Sequence, residues 1–182
     1  MDGRAEVGRP VVITIGHSNL SIEEFVAALQ KHGVRVLVDV RSTPYSQYSP
    51  QFNRENLDRS LQQVGIEYRF AGESLGGRPT DPTCYRDGQV PEGQANYLEL
   101  VDYDEVARRP WFRQGVARLL ELARQQPTAM MCSEEDPARC HRYHLITQAI
   151  IDEARVLDIR TGGGAGYRLF EATRKPRQMT LI

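Results

Sequence analysis

The sequence predicts an α/β fold, a single three-layer domain with a mostly parallel central sheet flanked by helices. Three observations carry that prediction. The runs at 11–15 (VVITI), 34–40 (VRVLVDV) and 128–131 (TAMM) are short and largely apolar, as strands covered on both faces are. Segments between them place apolar residues at helical spacing. The first strand, helix and second strand also follow one another within about thirty residues, the length of a βαβ unit with parallel strands.

Taken in order, the first strand ends at Gly16-His17-Ser18-Asn19. Ser21 and Glu24 then have capping-box spacing, in which each side chain satisfies the other's orphan amide. Ile22, Phe25, Val26 and Leu29 form one helical face, and Gly33 is a stop. The second strand leads to Asp39 and Arg41 and then to a polar loop over 42–50. Asn53 can cap a helix carrying Leu57, Leu61 and Val64, which Gly65 ends. Residues 66–70 (IEYRF) alternate and make a third strand. The stretch 71–93 is irregular, with turns at Leu75-Gly-Gly-Arg-Pro79 and Pro82, and loops of that length tend to be functional lids or disordered.

Residues 96–109 then read as one helix, and Pro110 opens another that reaches Gln126. The strand at 128–131 runs into Cys132-Ser-Glu-Glu-Asp-Pro-Ala-Arg-Cys140-His141-Arg142. A helix over 143–151 follows, with Leu145, Ile146, Ala149 and Ile150 on one face. Residues 156–159 make a last strand and 161–166 (TGGGAG) a flexible connector. The tail has enough alternation for an edge strand. The expected organisation is one domain over 1–182, with a flexible N-terminus at 1–10 and a loosely attached tail at 161–182.

At 182 residues the chain is large enough for a full core. Its formal net charge of −1 gives no overall pull toward nucleic acid or an anionic membrane, although a local basic groove is compatible with it. Arginine outnumbers lysine 21 to 2, which genomic base composition explains as readily as bidentate anion sites do. The three cysteines are an odd number, no signal peptide is evident, and no apolar run approaches a membrane span. A cytoplasmic protein with reduced thiols is the expectation.

Three predicted strands end in chemically capable residues: His17-Ser18, Asp39 with Arg41, and Cys132 with Glu134. In a parallel sheet those ends share one edge, where ligands bind in α/β folds. Cys132 reads either as a small buried hydrophobe or as a nucleophile. Cys140, at a helix start, is placed for a lowered pKa. His17 and His141 are candidate acid–base groups, whereas His32 and His144 read as structural. Asp39 orients a histidine or pairs with Arg41. Arg41 and Arg142 clamp a phosphate or carboxylate, or else form ordinary ion pairs. Glu134 is an acid–base group or part of a solvated loop face.

Spacing tests three specific chemistries. A cysteine-phosphatase loop has five residues between cysteine and arginine, but six separate Cys132 from Arg139. The glycines at 162–166 are followed by neither lysine nor a helix start, so they are not a phosphate loop. Zinc needs about four ligands, which Cys132, Cys140, His141 and His17 supply if they converge. Adjacent helical residues point to different faces, which counts against Cys140 and His141 sharing an ion. No metal ligand is therefore assigned, and no cofactor is identified.

Thr14-Ile-Gly-His-Ser18, Asp39-Val-Arg41 with Pro44 and Ser46, Pro50-Gln-Phe-Asn53, Leu75-Gly-Gly77 and Cys132-Ser-Glu134 through Cys140-His-Arg142 resemble one family in the same order. It is the domain-of-unknown-function 488 family of bacterial and archaeal proteins, and the likeness runs from Ile13 to about Ala154. The resemblance implies a small cytosolic α/β protein without a settled activity. Its characteristic polar positions match His17, Ser18, Asp39, Arg41, Cys132, Glu134, Cys140, His141 and Arg142.

The expected function is a hydrolase or transferase acting on an anionic small molecule or nucleotide. Cys132, Cys140, His141, His17 and Glu134 are the catalytic candidates. Ser18, Asp39, Arg41 and Arg142 are the substrate-binding ones. The alternative is a non-enzymatic nucleic-acid-binding or DNA-repair-associated module, with Tyr45, Tyr48, Tyr68 and Phe70 as stacking surfaces. A metal-dependent Cys/His site is the further alternative.

Overall fold

The computed structural model describes residues 8–161 and 166–176. Six strands form one sheet: β1 (Val11–Gly16), β2 (Val36–Asp39), β3 (Glu67–Phe70), β4 (Thr128–Cys132), β5 (Arg155–Thr161) and β6 (Tyr167–Glu171). Their order is β3-β2-β4-β1-β5-β6, parallel throughout except for β6, which runs antiparallel to β5. The α/β class with a mostly parallel sheet is therefore observed. Much of the glycine-rich connector, the expected flexible residues 1–7 and the end of the tail fall outside the described residues. Pro10 is attached, its carbonyl accepting from the Arg155 N–H at 2.9 Å.

Strand alternation divides the core into two layers. Val12, Val36, Val38, Met130 and Val156 face one side. They pack with α3 (Gly72–Leu75), α5 (Tyr103–Arg108), α6 (Pro110–Gln125) and the helical segment after β4. Ile13, Ile15, Leu37, Ala129 and Met131 face the other side, with α1 (Ile22–Lys31) and α2 (Arg54–Gln62). The Ser21–Glu24 capping box is present at the start of α1.

Four local expectations are corrected. Asn53 occupies the N-cap position of α2, but its side chain accepts from the Ser46 N–H at 2.7 Å instead of capping. The single helix over 96–109 is two, α4 (Tyr97–Leu100) and α5, because Val101 bridges to Tyr85 and Asp102 caps the second. The stretch 71–93 is no open lid: it holds α3 and a 3₁₀ turn over Pro82–Cys84, with Cys84 buried. The helix after β4 opens as a π-helix, Arg142–Thr147, before its α-helical end α7 (Gln148–Ile150). Such bulges recur at functional sites.

Candidate functional site

The carboxyl ends of β1, β2 and β4 lie side by side, but the crevice between β1 and β4 is filled by chain. The His17 N–H donates to the Cys132 carbonyl at 3.0 Å, and the Ser18 N–H to the Ser133 carbonyl at 2.8 Å. A Cβ at Gly16 would stand 1.8 Å from the Glu134 carbonyl oxygen, so only glycine lets that loop cross the end of β1. Ser18 makes its turn in the left-handed region, with φ 44°. The open space therefore lies beside the ends of β2 and β4. It is a cleft of about 820 Å³, and its walls include Arg41, Ser42, Arg78, Cys132, Cys140 and His141.

Cys132 is the last residue of β4, and the loop after it returns through a 3₁₀ turn over Pro137–Arg139 that Asp136 caps. Cys140 follows in an extended conformation, φ −136° and ψ 142°, and His141 then enters the helix. That extended residue at the helix start lets the two neighbours point the same way, which helical spacing alone counts against. Both sulfurs, of Cys132 and of Cys140, lie 3.8 Å from Nδ1 of His141. On the far side of the ring, Nε2 is 3.0 Å from the Val40 carbonyl oxygen. A carbonyl only accepts, so Nε2 carries a hydrogen, and Nδ1 is turned toward the two thiols.

The thiols do not share the role the sequence assigned them. A hydrogen bond from Cys140 holds the Cys132 thiol well below the usual thiol range against the effect of burial, helped by the neighbouring His141 and Arg142. Cys140, as the donor of that bond and itself buried, is pushed up. The expectation of an acidic Cys140 is corrected, because Cys132 is the more acidic thiol. Tyr103 also lines the cleft, and burial together with the charge of the two thiols raises its pKa.

His141 is seated by the Gly76-Gly77 pair. A Cβ at Gly77 would fall 2.5 Å from Cγ of the imidazole, and one at Gly76 would strike Ser42 Oγ. Ser42 Oγ in turn accepts from the Arg78 N–H at 3.0 Å. The end of β2 thus fixes the 76–78 segment, and that segment fixes the ring. Read as sequence, the two glycines marked only a turn. Consecutive glycines in a long loop were the available signal of close approach. Tyr103 offered none, since its spacing reads as ordinary helix.

Other predicted residues are placed apart from this centre. Asp39 is fully buried and grips Arg41 from both oxygens, at 2.9 Å to Nε and 2.6 Å to Nη2, and also accepts from the Tyr68 hydroxyl at 2.7 Å. Arg41 gives a further bond to the Phe52 carbonyl, so it reaches the cleft wall already paired. His17 stacks on Phe52 with centroids 4.3 Å apart, and its Nδ1 donates to the Ser18 carbonyl at 3.0 Å. By strand alternation Asp39 turns toward the α1–α2 face while Cys132 turns to the other. The expected meeting of His17, Asp39 and Cys132 therefore stops at a shared edge.

Arg142 is fully enclosed. Its guanidinium donates to Thr14 Oγ1 at 3.1 Å, to the Glu135 carbonyl at 2.7 Å and to the Glu134 carbonyl, and it pairs with Asp158 at 3.4 Å. That is a brace under the β4 loop, and it leaves no nitrogen for a ligand. Glu134 is exposed on the cleft wall, and Ser18 is not part of that wall. The exposed cations facing the cleft are Arg78, which stacks 4.5 Å over the Tyr97 ring, and Arg139.

The family model described as Domain of unknown function DUF488 matches residues 21–149. The chain belongs to that family. The matched span takes in β2, β4, the double-glycine segment and the whole Cys132–Cys140–His141 cluster. Comparison with curated proteins and with solved structures returns no match. No helix among the described residues is long and apolar enough to cross a membrane.

Proposed function

We propose that the cleft beside the ends of β2 and β4 is the active site of a hydrolase or transferase for an anionic small molecule or nucleotide. One observation carries the reading: two thiols and an oriented imidazole nitrogen open onto a cleft walled by arginine. The Cys132 thiol is held well below its usual range, and perturbed thiols in clefts mark reactive sites. Arg78 and Arg139 receive the anion, in place of the buried Arg142. Arg41, already tied to Asp39, shapes the wall. A single domain in a reducing, cytoplasmic compartment suits three free buried cysteines.

The test is turnover of a panel of phosphate and carboxylate esters. Cys132→Ser should abolish it, and Arg78→Ala with Arg139→Ala should raise KM roughly tenfold or more, as expected when charge-assisted bonds of about 1.5–3 kcal/mol are lost. A panel turned over equally well by Cys132→Ser protein would sink the proposal.

A second reading has its own support. Tyr45 and Tyr48 stand 52% and 85% exposed on the cleft wall, where rings of an unpaired nucleic-acid strand can stack. A module of that kind would bind single strands with steep salt dependence and without turnover.

A further inference from the structure

We propose that Cys132, Cys140 and His141 form a three-ligand site for zinc, with the fourth coordination position open to the cleft. A tetrahedral zinc ion with bonds of about 2.3 Å to sulfur and about 2.0–2.1 Å to nitrogen holds those ligand atoms roughly 3.6 Å apart. Here each sulfur stands 3.8 Å from Nδ1, and all three ligand atoms lie within 4.8 Å of one another. Metal uptake then requires side-chain movements of at most about an ångström and no refolding.

Orientation agrees with distance. Histidine ligands usually give their second ring N–H to a carbonyl or carboxylate, which aims the other nitrogen at the metal. His141 has that arrangement through Val40. Gly77 presses on the ring and Cys140 leaves the helix path, so three ligands from a strand end and a helix start meet at one point. Two thiolates and an imidazole select zinc over magnesium or calcium, which prefer oxygen. They would also balance the ion's charge in a buried place, with all three residues less than 10% exposed.

His17 is absent from the cluster, so the described residues supply three ligands rather than four. Three ligands with an open position is the pattern of catalytic zinc, and four that of structural zinc. All three ligands line the cleft, so water or an oxygen of a bound anion can take the fourth place. The reading of the cleft as an active site bears only on what fills that place.

The experiment is metal binding by the reduced, chelator-stripped chain. Zinc chloride is titrated against a chromophoric competitor, and cobalt(II) serves as the optical probe. One ion per chain is expected, with thiolate-to-cobalt charge-transfer absorption. Zinc should slow alkylation of Cys132 and Cys140 and leave the rate at Cys84 unchanged. Cys132→Ser, Cys140→Ser and His141→Ala should each lose the stoichiometric ion, whereas Cys84→Ser keeps it. The cobalt spectrum and the alkylation rates are read on the unmutated chain, so they do not depend on any variant folding. Failure of that chain to retain zinc against the competitor, or equal retention by Cys132→Ser, overturns the site. Inorganic phosphate separates this inference from the active-site reading. Phosphate held by metal-free protein that takes up no zinc overturns the metal and leaves the anion cleft. Zinc uptake with no phosphate binding in either form supports the metal and overturns the anion cleft.

Discussion

At the scale of single residues, the arrangement separates side chains that open onto the cleft from those that hold them in place. Gly77 is a positioning residue: an added methyl would meet the His141 ring at 2.5 Å. Gly77→Ala should therefore turn the imidazole and reduce activity at the cleft by about 10–100-fold, the range seen when support around a reactive ligand is lost. The spectrum of a cobalt-loaded variant, or its kcat, checks it. Stability should fall by only about 1–3 kcal/mol, as for other overpacked sites. Arg142 predicts the opposite pattern. Arg142→Met removes the bonds to the Glu134 and Glu135 carbonyls and one partner of Asp158, so it should cost about 3 kcal/mol in denaturant unfolding. Arg142→Lys should recover little of this, because an ammonium cannot span three acceptors in the plane of a guanidinium.

At the scale of elements, the ends of β1 and β2 are held by buried polar groups that make folding sensitive to pH. Burial is the main reason the pKa of His17 lies below its ordinary 6.5, with the Arg41 charge adding to it. The unfolded chain therefore takes up a proton at His17 before the folded one does. Above about pH 6.5 both states are neutral there and the residue has no pH effect. As pH falls through that value, protonation favours unfolding until the lower folded pKa is reached. His17→Gln should thus show a smaller loss of stability between pH 7 and pH 5 than the unmutated chain. Urea midpoints at the two values measure it, and equal losses would refute a buried neutral His17. Cys132 acts in the same sense at higher pH, since its lowered pKa contributes stability above the usual thiol range that fades as pH falls.

At the scale of the whole molecule, the charge balance counts against tight binding to duplex DNA. The net charge is −1, and Arg78 and Arg139 are the exposed arginines on the cleft wall. Many of the other arginines are paired, among them Arg69, Arg108, Arg155 and Arg160. Binding to duplex DNA at physiological salt should therefore be no tighter than the non-specific range of about 10⁻⁴–10⁻⁶ M. Fluorescence anisotropy with a random duplex checks this, and nanomolar affinity would overturn it.

Much of the frame was legible before any coordinates. Periodicity placed β1, α1, β2 and the Cys132 loop because a buried parallel strand and an amphipathic helix each leave a local pattern. It also put His17, Asp39 and Cys132 at one sheet edge, which follows from parallel pairing. What each residue does there depended on distances that no local pattern encodes. Alternation sent Asp39 and Cys132 to opposite faces. The enclosed Thr14–Asp158 pair drew Arg142 inward, and one extended residue at Cys140 turned two neighbours toward the same point. Residue chemistry and the edge on which it gathers were determined by sequence. Only the tertiary structure decided which groups meet, because a contact between Val40, Gly77 and His141 joins segments with no local relation to one another.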